Sequence, residues 1–243
     1  MQFRYVSVAA ICMLSFGFTY WQNQNSPPKV KISVQGNENT FQWNSVVPYT
    51  IAVSDTEDGN TEYGEIPSHE VLLVAKYLPD STLVKKITGD GQLKHFDVLL
   101  AISKALCFNC HAGREKLIGP SFEQVAARYK NDRTAVDLLT KKIIDGSTGT
   151  WSDNKMPPHP ELEEQDIKEM VTWILKNNSD PDVIYFVGTN GALRTKEKPP
   201  NASERGVYVL TASYMDHGPR STNNRLHTQG KRGQDVLLLK NLE

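Results

Sequence analysis

The sequence predicts a multidomain protein in which an all-α domain is flanked by an N-terminal β-sandwich and a short C-terminal β segment. Apolar residues alternate with polar ones near both ends of the chain, as half-buried strands require, whereas the middle has the spacing of amphipathic helices. The chain has 243 residues, which exceeds the roughly 100–150 residues of a typical domain. The predicted units are a β domain at 28–81, a linker at 82–95, a helical domain at 96–178, a second linker at 179–205 and a β segment at 206–243.

The composition is that of an ordinary globular protein without a strongly charged surface. The chain is 39% hydrophobic and 23% charged, and its formal net charge is −1. A nucleic-acid-binding protein needs a basic patch to meet the phosphate backbone, and no segment here forms a basic stripe. We therefore expect no nucleic acid among the partners.

The N-terminal residues 1–21 predict export. Arg4 precedes a largely apolar run over residues 5–18, which is followed by an aromatic pair. A basic residue before a short apolar segment is typical of a signal peptide, and flanking aromatic residues are also found where a helix meets a membrane interface. A cleaved signal peptide and a retained membrane anchor both stay open, and Cys12 is interpreted as an apolar filler. In either case we expect the rest of the chain in the periplasm or at the cell surface.

Residues 28–81 have the pattern of short strands. Large apolar residues occupy every second position over 30–34 and again over 49–53, and polar turn residues separate these runs. Short strands with polar turns imply an immunoglobulin-like β-sandwich. The segment 53–59, with Phe41-Gln42-Trp43 before it, resembles a PKD-type module.

An acidic turn in this unit, with Asp55, Glu57 and Asp58, leaves two interpretations open. Carboxylate oxygens are ligands for Ca²⁺, so these three residues could form a calcium site. Such a run is more often a solvated turn whose Asp side chains accept hydrogen bonds from nearby backbone N–H groups. Trp43 is expected to pack in the core of the sandwich, with stacking on a ligand as the alternative.

The central motif of the chain is Cys107-Phe108-Asn109-Cys110-His111. Two cysteines three positions apart, with a histidine directly after the second, predict covalent attachment of a c-type haem. The sulfurs would form thioethers to the haem, and the histidine would be the proximal iron ligand. A redox dithiol, half of a zinc site and a structural disulfide are the alternatives. Zinc would require a fourth ligand, and a thioredoxin-like dithiol would require a βαβ context that the flanking sequence does not have.

Met156 is the candidate for the opposite iron ligand. Pro157 and Pro158 follow it and favour a stiff extended loop over a helix. His159 is close enough in sequence to compete, which would give bis-His ligation. His95, near the start of the helix that leads to the motif, is a further conceivable ligand.

From about residue 96 to residue 178 the chain resembles small bacterial class I cytochromes c with His/Met ligation. The features that carry the resemblance occur in the order of that family: the haem motif, Ile118-Gly119-Pro120, Val125-Ala126-Ala127-Arg128-Tyr129, Lys142-Ile143-Ile144-Asp145-Gly146-Ser147, Gly149-Thr150-Trp151, Met156-Pro157-Pro158 and Trp173-Ile174-Leu175. The resemblance implies an all-α cytochrome c fold for this domain.

The resemblance also implies one covalently attached haem c and six residues that bind it: Cys107, Cys110, His111, Pro120, Trp151 and Met156. Within this set His111 and Met156 would ligate the iron. The Pro120 carbonyl would accept a hydrogen bond from His111, which fixes the ring and raises its basicity. The indole N–H of Trp151 would donate to a haem propionate, with core packing as the alternative.

Residues 206–243 hold two further strand candidates, separated by a polar, arginine-rich stretch. The first of them resembles the start of β-sandwich modules that accompany cytochromes in exported sugar-dehydrogenase-like proteins. This segment is too short to bury enough surface to fold alone. Because residues 24–81 carry a net negative charge and residues 183–243 a net positive one, we expect the C-terminal hairpin to pack against the N-terminal sandwich.

Together these features predict an exported electron-transfer cytochrome rather than a free-standing enzyme. The expected partners are redox proteins, with a dehydrogenase as electron donor and a cytochrome or an oxidase as acceptor. A haem sensor or peroxidase-like enzyme with an open iron site is one alternative, which would require that Met156 does not ligate the iron. A surface protein for adhesion or sugar binding, with the cytochrome as an auxiliary unit, is the other.

Overall fold

The computed structural model describes residues 25–36, 39–87, 93–177, 180–200, 202, 205–218 and 230–242. The predicted signal peptide or anchor at residues 1–21, with Cys12, lies outside this part of the chain. None of the helices in the described ranges is long and apolar enough to span a membrane.

The described residues form nine strands and five α-helices, and all five helices lie between the fifth and sixth strands. The helices are α1 Val84–Ile87, α2 Leu93–Lys104, α3 Phe122–Arg128, α4 Ala135–Asp145 and α5 Glu164–Asn177. The strands are β1 Lys29–Val34, β2 Thr40–Phe41, β3 Val46–Asp55, β4 Gly59–Asn60, β5 Leu72–Leu78, β6 Val183–Val187, β7 Asn190–Arg194, β8 Val207–Met215 and β9 Arg232–Asn241. The helical region therefore interrupts a β structure that resumes after it.

The strands form two sheets that share one hydrophobic core. In the first sheet β1, β3 and β4 are neighbours and β7 also pairs with β3, whereas the second sheet has the order β2-β9-β8-β5-β6. Every second residue of β3 is buried, including Tyr49 and Ile51. These residues belong to the same buried cluster as Leu73, Tyr77 and Leu210 of the second sheet. The core is built from the alternating pattern that predicted the strands.

Trp43 packs in this core, as expected. Its ring meets Phe41 and Tyr77 edge-on, with centroid separations of 5.2 and 5.5 Å. Edge-on contacts between aromatic rings are a favoured packing geometry in protein interiors.

The strands that precede the helical region are completed by strands that follow it. β5 pairs antiparallel with β6, from Leu72 opposite Val187 to Lys76 opposite Val183, and β8 pairs with the other edge of β5. In the first sheet β3 pairs antiparallel with β7. The pairing of β5 with β8 confirms that the C-terminal hairpin packs against the N-terminal strands.

The predicted linker at 179–205 is wrong for β6 and β7. All five residues of β6 are half-buried, and β7 buries one side chain, Leu193. The burial of these two strands does not alternate along the chain. Their strand partners, β5 and β3, are remote in sequence, so the local pattern does not reveal them. The expectation of a self-contained β domain at 28–81 is corrected for the same reason, since its two sheets need β6 to β9.

Both faces of β5 are buried, and they belong to two different cores. Leu73, Ala75 and Tyr77 contribute to the core between the sheets. Leu72 and Val74 share a second core with apolar residues from three helices: Phe96, Leu99, Leu100, Ile102, Phe122, Met170 and Trp173. The helices therefore rest on the outer face of the second sheet, which fixes α2 and the cysteine motif that follows it.

The acidic turn between β3 and β4 forms local hydrogen bonds. Asp55 Oδ1 accepts from the backbone N–H groups of Glu57 and Asp58 at 2.9 and 3.0 Å. The carboxylate of Asp58 instead accepts from the hydroxyl of Tyr214 at 2.8 Å. Asp55, Glu57 and Asp58 therefore do not converge on one metal position, and within the described residues no group of three or more His, Cys, Asp or Glu has such an arrangement.

Candidate haem-binding site

Cys107 and Cys110 lie in a tight turn directly after α2. Leu106 has φ 58°, in the left-handed region, so the chain turns away from the helix axis before the motif. In the 3₁₀ turn that follows, the N–H groups of Cys110 and His111 both donate to the carbonyl of Cys107, at 3.1 and 2.9 Å. The helix that leads to the motif therefore ends at Lys104, and the motif forms a turn of its own.

The state of the two thiols bears on the alternatives to haem attachment. Both cysteines are free, and burial raises the pKa of the Cys107 thiol to about 11. A reactive dithiol depends on a thiolate near neutral pH, so this environment disfavours that alternative. A zinc site is disfavoured as well, because the described part of the chain offers no cluster of three His, Cys, Asp or Glu ligands.

His111 is oriented by the backbone of the turn that follows it. Its Nδ1 lies 2.7 Å from the carbonyl oxygen of Pro120, the pairing that the resemblance implies. A carbonyl can only accept, so Nδ1 donates and Nε2 keeps its lone pair. A Cβ at Gly119 would lie 2.4 Å from the Cε1 atom of His111. Glycine is therefore needed at that position, because any side chain would displace the ring.

Phe122 stacks against the imidazole of His111. Its ring is nearly parallel to that of His111, with an interplanar angle of 11° and centroids 5.7 Å apart. Phe122 is the first residue of α3, whose start is fixed by reciprocal hydrogen bonds between Ser121 and Gln124. This capping box satisfies two backbone N–H groups that the helix leaves unpaired.

Met156 lies in a loop that is tied to the end of α4. Its backbone N–H donates to Ser147 at 2.8 Å, and its carbonyl accepts from Ser147 at 3.1 Å. Gly146, directly after α4, has φ 78°, and a Cβ there would lie 2.9 Å from the Met156 carbonyl. Both the backbone conformation and the close approach therefore require glycine.

Trp151 lies against an arginine that the sequence gave no role. The guanidinium of Arg128 lies over the indole, 4.6 Å from the ring centroid, and also donates to the carbonyl of Thr150 at 3.0 Å. Nearby, the amide of Asn154 donates to the carbonyl of Ile118 at 3.3 Å. This bond joins the Met156 loop to the turn beside His111. The bond from Trp151 to a propionate stays a prediction.

His159 keeps its Nε2 available, as His111 does, so bis-His ligation stays the alternative to Met156. His159 Nδ1 lies 2.8 Å from a carboxylate oxygen of Glu161, and its backbone N–H donates to Ile143. Met170 is buried in the core of the helical domain. The side chain of His95 lies outside the described residues.

The residues around the motif fit a c-type haem. Two free thiols stand beside an imidazole whose Nε2 is available, and a methionine lies in the loop tied to the same region. Three large apolar side chains next to the motif, Leu106, Leu117 and Ile118, are 49%, 47% and 54% exposed. Exposed apolar groups of this kind suit a large, flat and largely apolar cofactor.

Comparison with known proteins decides the family. A family model described as Cytochrome c matches residues 101–178. Cytochrome c-551 of Allochromatium vinosum is 40% identical over 79 residues, which are 32% of this chain and 83% of that protein. This chain belongs to the cytochrome c family.

Further cytochromes match the same region. Cytochrome c-552 of Nitrosomonas europaea is 36% identical over 69 residues, which are 28% of this chain and 67% of that protein. The crystal structure of the wild-type Nitrosomonas europaea cytochrome c552 is 35% identical, covering 31% of this chain and 93% of that chain with a TM-score of 0.30. The matched region contains one C-x-x-C-H motif, so this cytochrome carries one covalently attached haem c.

Proposed function

We propose that this protein is an exported electron carrier whose haem is attached through Cys107 and Cys110 and ligated by His111 and Met156. When bound, the haem supplies one-electron chemistry through its ferric and ferrous states, and a thioether opposite a histidine favours the ferrous state. The observation that carries the proposal is the hydrogen bond of 2.7 Å between His111 Nδ1 and the Pro120 carbonyl. It selects the tautomer in which Nε2 can bind iron.

The packing around His111 supports this role. Phe122 stacks on one face of the imidazole, and Gly119 allows the backbone to approach the ring closely. A carbonyl acceptor on Nδ1 also raises the basicity of the other nitrogen, which strengthens a metal bond. Together these contacts hold the imidazole ring in one orientation.

Backbone contacts of its loop support Met156 as the second ligand. The two backbone hydrogen bonds with Ser147 and the bond between Asn154 and Ile118 hold its loop next to the His111 turn. These hydrogen bonds restrain the backbone of the loop and do not involve the thioether of Met156. Met156→Ala therefore tests the identity of the second ligand.

We propose that the protein transfers electrons between other proteins and catalyses no reaction of its own. Electron transfer needs an exposed cofactor edge and a partner surface, and no general base or nucleophile. Leu106, Leu117 and Ile118 form an exposed apolar rim beside the motif. The proposed partners at this rim are a dehydrogenase as donor and a cytochrome or an oxidase as acceptor.

The proposed location is the periplasm or the cell surface. Arg4 and the apolar run over 5–18 support export. If residues 1–21 stay on the protein, they would anchor the cytochrome to the membrane.

We also propose that the two packed sheets form an immunoglobulin-like sandwich with a PKD-like N-terminal part. Support comes from short strands, mainly antiparallel, that surround one core. The cytochrome domain is then an insertion between β5 and β6 of this sandwich.

The test is the visible spectrum of the purified protein, oxidised and reduced, in the wild type and in Met156→Ala. The haem should remain on the chain after denaturing extraction, and the absorption of a Met–iron bond should be lost in Met156→Ala. Met215→Leu is the matched control. Met215 belongs to β8 and packs against the core of the helical domain, so this variant should leave the spectrum unchanged.

Two results would contradict the proposal. A Met–iron band that persists in Met156→Ala would assign the second ligand elsewhere. A wild type that is high-spin and binds external ligands would favour a sensor or peroxidase-like enzyme with an open iron site.

A further inference from the structure

Three buried side-chain oxygens without a hydrogen-bond donor lie at one end of the sandwich. They are Asn25 Oδ1, Asp55 Oδ2 and Asp216 Oδ2. Asp216 is fully buried, with 0% of its surface exposed. A buried carboxylate oxygen without a partner is unfavourable unless a cation or a hydrogen-bond donor compensates it.

The carboxylate of Asp216 is held rigidly by its other oxygen. Oδ1 accepts from the backbone N–H of Gly218 at 2.8 Å, from that of Lys231 at 2.9 Å and from the side-chain amide of Asn25 at 2.9 Å. These three bonds fix the orientation of the group. Oδ2 therefore presents a lone oxygen in a defined direction.

The acidic turn after β3 lies next to this group. Ser26 and Thr56, which follow Asn25 and Asp55 in sequence, have hydroxyl oxygens 3.4 Å apart. The carboxylate of Asp58, in the same turn, accepts from the backbone N–H of His217, the residue after Asp216, at 2.9 Å. Three carboxylates from two remote parts of the chain thus approach one another.

The positive groups nearby are directed to other acceptors. His217 pairs with Asp58 and Glu70, each at 3.0 Å. The ammonium of Lys231 donates to the backbone carbonyl of Asn25 at 2.6 Å. In the ranges that the structure describes, neither Asp55 nor Asp216 forms an ion pair.

We propose that Asn25, Asp55 and Asp216 form a calcium site, with Glu57 at its rim. All donors are hard oxygens, two from carboxylates and one from an amide, and the mixture of carboxylate and carbonyl oxygens is typical of Ca²⁺. Nitrogen and sulfur donors, which zinc and other transition metals prefer, are missing from the set. Because the third donor is the amide oxygen of Asn25, this set is compatible with the absence of any group of three His, Cys, Asp or Glu ligands in the described residues.

This site differs from the one that the sequence suggested within the acidic turn. Asp58 is excluded, because its carboxylate accepts from Tyr214 and pairs with His217. Asn25 and Asp216, 191 residues apart, take its place. The bound ion would join the segment before β1, the turn after β3 and the end of β8.

The experiment uses calorimetry and thermal unfolding of the purified holoprotein after EDTA treatment, with CaCl₂ or MgCl₂ added. We expect Ca²⁺ to bind and raise the unfolding temperature, and Mg²⁺ to do so less, because Mg²⁺ demands a stricter octahedral geometry. Asp55→Asn and Asp216→Asn should each weaken Ca²⁺ binding by at least about tenfold, since affinity depends on the number of charged ligands. Both variants keep an oxygen that can accept the local backbone hydrogen bonds.

Asp235→Asn is the matched control, because Asp235 is a carboxylate of the same sandwich that pairs with Lys31 and contacts none of the proposed ligands. It should bind Ca²⁺ like the wild type. The haem spectrum reports that the cytochrome domain of each variant is folded, and far-UV circular dichroism reports the same of the sandwich. The proposal is overturned if the wild type shows no Ca²⁺-dependent signal, if folded Asp55→Asn binds as well as the wild type, or if Asp235→Asn loses as much affinity as the two site variants.

Discussion

Arg232, the first residue of β9, forms an ion pair with Asp97 of α2, and these residues are 135 positions apart. The arginine is largely buried, with 10% of its side chain exposed, and its guanidinium lies 5.5 Å from the ring centroid of Phe96. It also donates to the hydroxyl of Ser213 at 2.7 Å. The last strand of the sandwich is thereby joined to the helix that leads into the haem motif.

Arg232→Ala should destabilise the protein by about 1–3 kcal/mol. The variant removes buried aliphatic and cation–π contacts and leaves the hydroxyl of Ser213 without its donor. Denaturant unfolding, followed by both the haem band and far-UV circular dichroism, measures the loss.

Arg205→Ala is the control for the loss of an arginine, because Arg205 pairs with Asp80 while 67% of its side chain is exposed. A surface pair of this kind contributes about 0–1 kcal/mol. Equal losses of unfolding free energy in Arg232→Ala and Arg205→Ala would show that the contact between β9 and α2 stabilises the protein no more than a surface ion pair does.

Gly119→Ala should disturb His111, the proposed proximal ligand. The added Cβ would lie 2.4 Å from His111 Cε1, and overpacking of this kind costs roughly 1–3 kcal/mol. We expect a shifted Soret band, a changed midpoint potential and a lower melting temperature. Gly113→Ala is the matched control, because a Cβ at Gly113 meets no atom within 4 Å. A normal spectrum and potential in Gly119→Ala would contradict the packing around His111.

Stability should depend on the charge of His217. The imidazole of His217 donates hydrogen bonds to the carboxylates of Glu70 and Asp58. These bonds outweigh burial, which lowers the pKa, and together they raise the pKa of His217 to about 9. Because the folded pKa lies above the unfolded value of about 6.5, the contribution is fully present below about pH 6.5 and is lost as the pH rises through about 9. The imidazole is 43% exposed, so solvent screening reduces the effect to about 1–2 kcal/mol.

The two carboxylates set the acid limit of the same cluster. Burial raises the pKa values of Asp58 and Glu70, but hydrogen bonds from His217 oppose it at both groups. The Tyr214 hydroxyl adds to this at Asp58 and the charge of Lys104 adds to it at Glu70, so both net pKa shifts are downward. Their contribution is therefore present at neutral pH and lost in acid. Unfolding measured in EDTA from pH 5 to pH 10 should show the alkaline loss in the wild type and a flatter profile in His217→Gln. An unchanged profile in the variant would assign the alkaline loss to other groups.

Leu210→Ala in β8 should destabilise β5, the strand that β8 pairs with, although the whole cytochrome domain separates β5 from β8 in sequence. Leu210 is fully buried and lies opposite Ala75 in the pairing of β8 with β5. The cavity should cost about 2–5 kcal/mol and increase amide hydrogen exchange in β5. Val236→Ala in β9, whose side chain is 41% exposed, should change exchange little. Unaltered exchange of the β5 amides in Leu210→Ala would mean that the two ends of the chain do not share one core.

Local chemistry made much of the haem site predictable. The C-x-x-C-H motif, the turn at Gly119 and Pro120 and the loop before Pro157 depend on residues within a few positions of one another. The role of Gly119 against the imidazole and the contact between Arg128 and Trp151 were missed, because each joins separate turns of the chain. The sequence did indicate a close approach at Gly119, because this glycine precedes a proline and lies near His111, the proposed ligand.

The sequence by itself determined the haem chemistry and the secondary-structure type of most segments, because covalent motifs and hydrophobic periodicity are local properties. Only the tertiary structure decided that β5 pairs with β6 and β8, and that Asn25 meets Asp216. Alternation along a strand states which face is buried, but it does not state which remote strand supplies the hydrogen bonds. The tertiary structure alone therefore shows that strands from both ends of the chain form one sandwich. It also shows that the cytochrome lies between β5 and β6 of that sandwich.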